Sequence, residues 1–334
     1  MKVPILAQRK SVTVIYHADC IDGFGAAYAA WCHFGDAAKY HPIHHGEPWE
    51  GAEIAGHEVF ILDFSFPPVV LETIAQLAIA VTQIDHHLSA SRLWADRLQI
   101  KESGLAVHKD PILPLTVIFD LEKSGATLAW EYFQPNLPTP LLLRHIEDQD
   151  LWRFAMPGTR ALCRSLRLRP FDFALWHGFV RQTPDAEALA YQEMIAHGDA
   201  IERYLQNEIE GLSNSPLRMP AHLRGDPVDA LQALRHGQPI ITEGEQAWLR
   251  LSGIAVNANA LFASDLGNQL AEQSGTFGLI WQLSGDGEIK VSLRSKGEFD
   301  VANIAARYGG GGHRNAAGFR MAPAQFMTEV IGHA

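Results

Sequence analysis

The sequence predicts an α/β protein: a doubly wound, mostly parallel sheet followed by a smaller C-terminal α/β domain. Apolar runs of strand length occupy 12–16, 58–62, 79–84 and 115–119. Helical patterns alternate with these runs, which is typical of a mostly parallel sheet. The 334 residues leave room for two domains of the usual ~100–200 residues each.

The first domain is predicted to span 1–185. A helix over 23–31 follows the first strand, and a second strand is expected within 36–45. Pro67-Pro68 suits the first turn of the next helix. Ser124 is interpreted as the N-cap of a helix ending at Phe133, in preference to a phosphate contact. A further helix is predicted over 138–147.

A long helical pattern over 186–211 leads out of this domain, and 186–245 is interpreted as a helical linker region. The second domain, 246–334, is expected to contain strands over 249–256, 276–283 and 288–294, and helices over 263–273 and 301–307. In its last strand Lys290, Ser292 and Arg294 alternate with apolar residues and therefore share one face.

Composition restricts the function. A net charge of −11 argues against a broad basic face for long duplex DNA, but not against short nucleotides. No apolar run reaches the ~18 residues of a membrane span, and 1–10 lacks the apolar stretch of a signal peptide. Three cysteines without a CxxC pair favour a reducing, cytoplasmic setting.

Acidic and imidazole side chains follow three of the predicted strands. Asp85-His86-His87 follows 79–84, Asp63 follows 58–62, and His17-Ala18-Asp19-Cys20-Ile21-Asp22-Gly23 follows 12–16. Sites in open α/β sheets form beyond the carboxyl ends of the strands. Carboxylate and imidazole suit Mn²⁺, Zn²⁺ or Fe²⁺, so one metal cluster is predicted here. His41, His44 and His45 are interpreted as loop residues rather than ligands.

These motifs, with a later Asp148 and Asp150, resemble the DHH family of phosphoesterases, which includes RecJ exonucleases and small oligoribonucleases. The block Gly309-Gly310-Gly311-Gly312-His313-Arg314-Asn315-Ala316-Ala317-Gly318 resembles the signature of the DHHA1 domain. Together they span most of the chain in the expected order. The resemblance implies a catalytic domain and a substrate-binding domain with a cleft between them.

The resemblance also implies two bound Mn²⁺ ions, with Mg²⁺ or another divalent ion as the alternative. Asp63 would bridge the ions, and His87 would face the phosphate while Asp85 orients an imidazole. Asp148 is preferred over Asp150 as the last ligand, although the sequence does not decide between them. The expected ligands are His17, Asp19, Asp22, Asp63, His86 and Asp148.

This sequence departs from the family pattern at one point. The usual first motif places its two aspartates two residues apart, whereas Asp19 and Asp22 are three apart. Their assignment to particular metals is therefore open. Cys20 between them is interpreted as a small buried residue in preference to a soft ligand.

The glycine block has a physical interpretation of its own. Glycines let backbone N–H groups approach a phosphate closely, and Arg294 suits bidentate phosphate contact. Binding is favoured over a flexible turn with a solvated histidine. The expected substrate-binding residues are Ser292, Arg294, Gly310, Gly311, Gly312 and His313. Trp152 and Phe154 are interpreted as core residues in preference to base-stacking ones.

The leading hypothesis is a Mn²⁺-dependent phosphoesterase of short single-stranded oligonucleotides or nucleotide phosphates. The alternatives are a hydrolase of polyphosphate or pyrophosphate and a non-catalytic nucleotide-binding module. Burying this many carboxylates without cations would be costly, which argues against the module. No membrane or long-duplex partner is expected, and a homodimer is left open.

Overall fold

The described part of the chain, in a computed structural model, comprises residues 11–44, 46–180 and 184–332, without the side chains of 184–188. The chain divides into two units between Glu202 and Arg203. No helix among the described residues is both long and apolar enough to cross a membrane.

The elements of the first unit alternate as predicted. In chain order they are β1 (Val12–His17), α1 (Ile21–Phe34), β2 (Ala38–Ile43), β3 (Glu58–Leu62), α2 (Pro68–Leu77), β4 (Ala80–Asp85), α3 (Leu88–Arg92), β5 (Gln99–Ile100), β6 (Ala106–Lys109), β7 (Leu115–Phe119), α4 (Gly125–Phe133), α5 (Leu141–Asp150), α6 (Thr159–Leu166), α7 (Phe173–Val180) and α8 (Pro184–Ser213), the last of which continues into the second unit.

The first sheet has the strand order β2-β1-β3-β4-β7-β6-β5. Neighbours from β2 to β7 are parallel, and β6 and β5 are added antiparallel at one edge. Because β2 and β3 lie on opposite sides of β1, the chain reverses its direction of travel through the sheet there. Crevices for ligands form at the carboxyl ends of strands at such a switch point.

Both faces of this sheet are covered, which explains its continuous apolar strands. In β1, Val14 packs into a core with α1, α4 and α5, whereas Ile15 packs into a second core with α2. Helices α1 and α4 approach closely because Gly25 faces Ala126. A Cβ at Gly25 would lie 2.8 Å from that of Ala126. The prediction of a doubly wound, mostly parallel sheet is confirmed.

The second unit is built around another sheet, with β8 (Met219–Pro227), α9 (Ala230–Arg235), β9 (Ile240–Glu243), β10 (Gln246–Asn257), α10 (Ala263–Ser274), β11 (Phe277–Leu283), β12 (Ile289–Ser295), α11 (Val301–Ala306), β13 (Gly311–His313) and β14 (Ala316–Met321). The strand order is β13-β14-β12-β11-β10-β8, and β9 also pairs with β10. The predicted strands and helices of this region are all present, with shifted ends.

The linker region expected over 186–245 does not form a separate segment. Its first part is α8, and its later part contains β8 and β9, which pair antiparallel with β10. The Pro, Gly and charged residues that suggested a linker lie on edge strands and their turns. Such strands tolerate these residues because one side of their backbone needs no sheet partner.

Candidate metal centre

The end of β1 turns sharply into α1. A Cβ at Gly23 would lie 2.2 Å from the carbonyl oxygen of His17, so only glycine permits this approach. Asp19, in the turn, has a left-handed φ of 53°. Its side chain is 86% exposed, with Oδ2 3.6 Å from Nε2 of His44. The structure therefore does not bring Asp19 together with the other expected ligands.

Asp63 lies at the centre of the candidate site, directly after β3. Its Oδ2 is 3.5 Å from His17 Nδ1, and its Oδ1 is 3.1 Å from His86 Nε2. The residue has a left-handed φ of 50°, an uncommon conformation for a side chain other than glycine. Burial alone would raise the pKa of this carboxyl, but the His17 and His86 imidazoles hold it well below its usual range.

The start of α4 packs closely against Asp63. A Cβ at Gly125, the first residue of α4, would lie 2.5 Å from Asp63 Cβ and 2.7 Å from Oδ1. Ser124 caps α4 by accepting a hydrogen bond from the Thr127 amide at 3.3 Å, so its predicted N-cap role is confirmed. Gly125 was not predicted as part of the site, because a glycine at the start of a helix carries no distinctive signal.

His86 follows β4 and is surrounded by carboxylates. Its Nε2 lies 3.5 Å from Asp22 Oδ2 and 3.5 Å from Asp150 Oδ2, in addition to the contact with Asp63. Burial favours the neutral ring, but Asp150, Asp63 and Asp22 together raise the pKa of His86 well above its ordinary value. The ring therefore lies in a strongly negative environment.

Asp22 is fixed by two backbone amides of α4. Its two oxygens accept hydrogen bonds from the Gly125 amide at 2.7 Å and the Ala126 amide at 3.0 Å. Burial, followed by the charges of Asp63 and Asp150, raises the pKa of Asp22 well above its usual range. A divalent cation would remove this repulsion, because an opposite charge at short range favours the ionised carboxylates.

Asp85 holds His87. Its Oδ1 lies 2.6 Å from His87 Nδ1 and accepts the His86 amide at 2.8 Å, and its Oδ2 accepts the Ser65 hydroxyl at 2.5 Å. Although burial raises the pKa of Asp85, His87 outweighs it and the pKa falls to about 2. Burial disfavours the charged His87 ring, yet Asp85 raises its pKa. Ser65 was not predicted from the sequence, because a lone serine is no signal of a site.

The preference for Asp148 over Asp150 needs correction. Both residues end α5, but Asp148 accepts hydrogen bonds from the Ala155 and Met156 amides at 2.8 and 3.0 Å, and from the Thr159 hydroxyl at 2.5 Å. Those contacts fix the loop before α6 and satisfy this carboxylate. Asp150 reaches His86 instead, because two residues along a helix turn the side chain by about 200°.

Donor atoms of the first unit gather around Asp63 and His86, and those of Asp63, Asp85, His86 and His87 lie within 4.8 Å of one another. Donor atoms of His17, Cys20 and Asp63 lie within 4.8 Å of one another, as do those of Asp22, His86 and Asp150. Carboxylate, imidazole and thiolate are all ligands of divalent transition metals. Since Asp63 also contacts His86, the residues present fit a metal centre with this carboxylate between its two halves.

In the second unit, the glycine block contains strand β13, a turn at 314–315 and the start of β14. A Cβ at Gly310 would lie 2.0 Å from the Gly318 carbonyl oxygen, so glycine is required by close backbone packing. His313 and Arg294 both pair with Ala316, on opposite sides of it. Paired residues of neighbouring strands point to the same face, so these two side chains share one face of the sheet.

The guanidinium of Arg294 is already anchored. It donates to the Ser264 hydroxyl at 2.9 Å and to the Leu293 carbonyl at 2.9 Å. Burial lowers the pKa of Arg294 to about 10, partly opposed by Asp265. Ser292 is paired with Gly318, which is also the partner of Gly311. Thus the residues expected to bind substrate lie in one sheet, on β12 and on β13 with Gly310 just before it, and β14 separates these two strands.

Comparison with known protein families finds a match for the C-terminal part of the chain. Residues 253–331 match the DHHA1 domain. The predicted glycine block, Gly309 to Gly318, lies within this match, so the resemblance of that block to the DHHA1 domain is confirmed.

One similar protein is "Uncharacterized protein R106" of Acanthamoeba polyphaga mimivirus, 29% identical over 330 residues that cover 91% of this chain and 66% of that protein. Two solved structures are also similar. RecJ in complex with Mn²⁺ from Thermus thermophilus has a TM-score of 0.45 at 16% identity, covering 96% of this chain and 50% of RecJ. The pGpG-specific phosphodiesterase PggH from Vibrio cholerae has a TM-score of 0.36 at 13% identity, with 95% of both chains covered. This chain thus spans about half the length of RecJ and two thirds of the viral protein.

Proposed function

We propose that this protein is a DHH-family phosphoesterase, a metal-dependent hydrolase of phosphate esters that acts on short single-stranded oligonucleotides or nucleotide phosphates. The observation that carries the proposal is the position of Asp63, whose two oxygens each face a different imidazole, His17 at 3.5 Å and His86 at 3.1 Å. A carboxylate in that position can be shared by two cations. Mn²⁺ is the proposed ion because oxygen and imidazole donors predominate.

Bound divalent ions would supply a nucleophile at neutral pH and neutralise charge on the phosphoryl oxygens. The chain's own residues hold and orient the reactants. Asp63, His17, Asp22, His86 and Asp150 form the proposed ligand set. The Asp22 carboxylate is fixed by the α4 amides, so it needs little reorganisation when an ion binds.

His87 is proposed to contact the phosphate. Asp85 lies 2.6 Å from its Nδ1, which in the neutral ring fixes the proton on that nitrogen and makes Nε2 the atom that faces substrate. Ser65 and the His86 amide hold Asp85 in turn. The protonated ring would add positive charge next to a phosphoryl oxygen.

The second unit is proposed to bind the end of the substrate. Arg294 and His313, on one face of the second sheet, offer donors for a terminal phosphate or hydroxyl. The net charge of −11 favours short substrates over duplex DNA. A long phosphate backbone would extend beyond a small positive site and be repelled by the negative surface around it.

A product-resolved assay with Mn²⁺ tests the proposal. The substrates are dinucleotides, longer single strands, phosphoadenosine phosphate and polyphosphate, and Asp63→Asn serves as the inactive control. Release of mononucleotides or phosphate by the parent protein alone is expected. Turnover restricted to polyphosphate would favour the inorganic-phosphate alternative. Nucleotide binding without bound metal or hydrolysis would identify a binding module.

A further inference from the structure

The turn between β1 and α1 places a thiol where the family pattern leads one to expect a carboxylate. Asp19 is exposed beside His44, whereas Cys20 belongs to the group formed with His17 and Asp63, whose donor atoms all lie within 4.8 Å of one another. We propose that Cys20 is a thiolate ligand of the metal ion on the His17 side of Asp63. This inference rests on the metal centre of the proposed function, but not on hydrolysis.

The extra residue in the first motif explains why Cys20, and not Asp19, lies at the cluster. Helix α1 begins at Ile21, so Asp22 faces α4 from its first turn and Cys20 immediately precedes the helix. With two residues between Asp19 and Asp22, one more position must be accommodated in the turn, and Asp19 takes a left-handed φ of 53°. The carboxylate moves to the surface, and the following side chain lies at the cluster.

The two halves of the centre then differ in their donors. On the Asp22 side, the atoms are two carboxylates and the His86 imidazole. On the His17 side they are imidazole, thiolate and the shared Asp63 carboxylate. Thiolate favours Zn²⁺, Co²⁺ and Cd²⁺ over Mn²⁺, because it is a softer ligand than an oxygen. We therefore expect two unequal sites, one of them selective for softer ions.

Coordination requires loss of the Cys20 proton. The sulfur–hydrogen bond breaks, the proton passes to buffer, and a metal–sulfur bond forms with no change of oxidation state. The other two cysteines offer internal controls. Cys32 is half-buried in α1 near His177, with Sγ 4.0 Å from its Nδ1, and Cys163 is buried in α6.

The test is Co²⁺ titration of the full chain, followed by absorption spectroscopy without substrate. Thiolate bound to Co²⁺ gives a ligand-to-metal charge-transfer band in the near ultraviolet. The parent protein and Cys32→Ser should show the band, and Cys20→Ser should lack it while still binding Co²⁺ at the other half. Cys20→Ser should also weaken Cd²⁺ binding by at least about tenfold, since even supporting residues around a metal cost 10–100-fold.

A second variant separates loss of a ligand from loss of fold. Cys20→Asp should restore a second ion with oxygen ligation and no charge-transfer band, and it should raise the preference for Mn²⁺ over Cd²⁺. Co²⁺ bound by the parent protein without a sulfur band, or a band that survives in Cys20→Ser, would overturn the thiolate assignment alone. Failure of the parent protein to bind any divalent ion would overturn the metal centre of the proposed function as well.

Discussion

Asp150 Oδ2 lies 3.5 Å from His86 Nε2, although the two residues are far apart in the sequence and Asp148, two residues earlier, was the expected partner. The orientation of α5 decides which of the two carboxylates meets the cluster. Asp148 is instead satisfied by two amides and one hydroxyl of the segment that leads into α6. Asp150 is therefore the proposed ligand, and Asp148 is a structural residue.

Substitution at these two positions should therefore have opposite consequences. Asp150→Asn should lower Mn²⁺ affinity by roughly 10–100-fold with little change in stability, because it weakens a ligand. Asp148→Asn should keep Mn²⁺ affinity but lower the free energy of unfolding by about 1–3 kcal/mol, because buried amides lose a charged acceptor. Calorimetric Mn²⁺ titration and urea denaturation measure the two effects. The reverse pattern would restore Asp148 as the ligand.

Gly125→Ala should disrupt the site without touching a ligand directly. The new methyl group would fall 2.5 Å from Asp63 Cβ, so either Asp63 or the start of α4 must move. We expect weaker Mn²⁺ binding and lower turnover, measured by titration and by the product-resolved assay.

Gly178→Ala is the matched control for that change. Gly178 is also a helical glycine, in α7, but no atom lies within 4 Å of a Cβ there. Alanine should leave Mn²⁺ binding unchanged and stabilise the helix by up to ~1 kcal/mol. Equal losses of metal binding in the two variants would show that close packing on Asp63 is not the cause.

His87→Ala should retain metal and lose turnover. Its ring contacts Asp85 at 2.6 Å and is proposed to face the phosphate. Removing a group that donates a proton or positive charge typically lowers the rate by about 10²–10⁴-fold. Mn²⁺ content and kcat are the measurements, and Asp63→Asn should by contrast lose the metal. If His87→Ala loses as much metal as Asp63→Asn, then His87 is a ligand.

Arg294→Lys should mainly raise KM. Lysine keeps the charge but cannot make the two parallel hydrogen bonds of a guanidinium with a phosphate. Lys290→Ala is the control, because Lys290 lies on the same face of β12 but is exposed. Steady-state kinetics on a dinucleotide distinguish the outcomes. A fall in kcat at constant KM would contradict a binding role, and a melting curve checks that loss of the Ser264 contact has not unfolded the unit.

Most of the fold could be predicted because its strands are buried on both faces and therefore appear as apolar runs. The predicted bounds of the strands over 58–62 and 115–119 are the same as those in the structure. Strands β5 and β6 were not predicted, because they are short and lie at the antiparallel edge of the sheet. Strand β8 was hidden in a segment whose polar composition resembled a linker.

The amino-acid sequence alone determined the α/β class, the strands after which His17, Asp63 and His86 occur, and the resemblance of the glycine block to the DHHA1 domain. These are local properties, set by periodicity and by residue type at a strand end. Only the tertiary structure decided that Asp150 rather than Asp148 faces His86, that Asp19 lies outside the cluster with Cys20 inside it, and that Gly125 packs on Asp63. The direction of a side chain at the end of a helix or within a turn depends on how distant segments pack, and sequence spacing does not encode it.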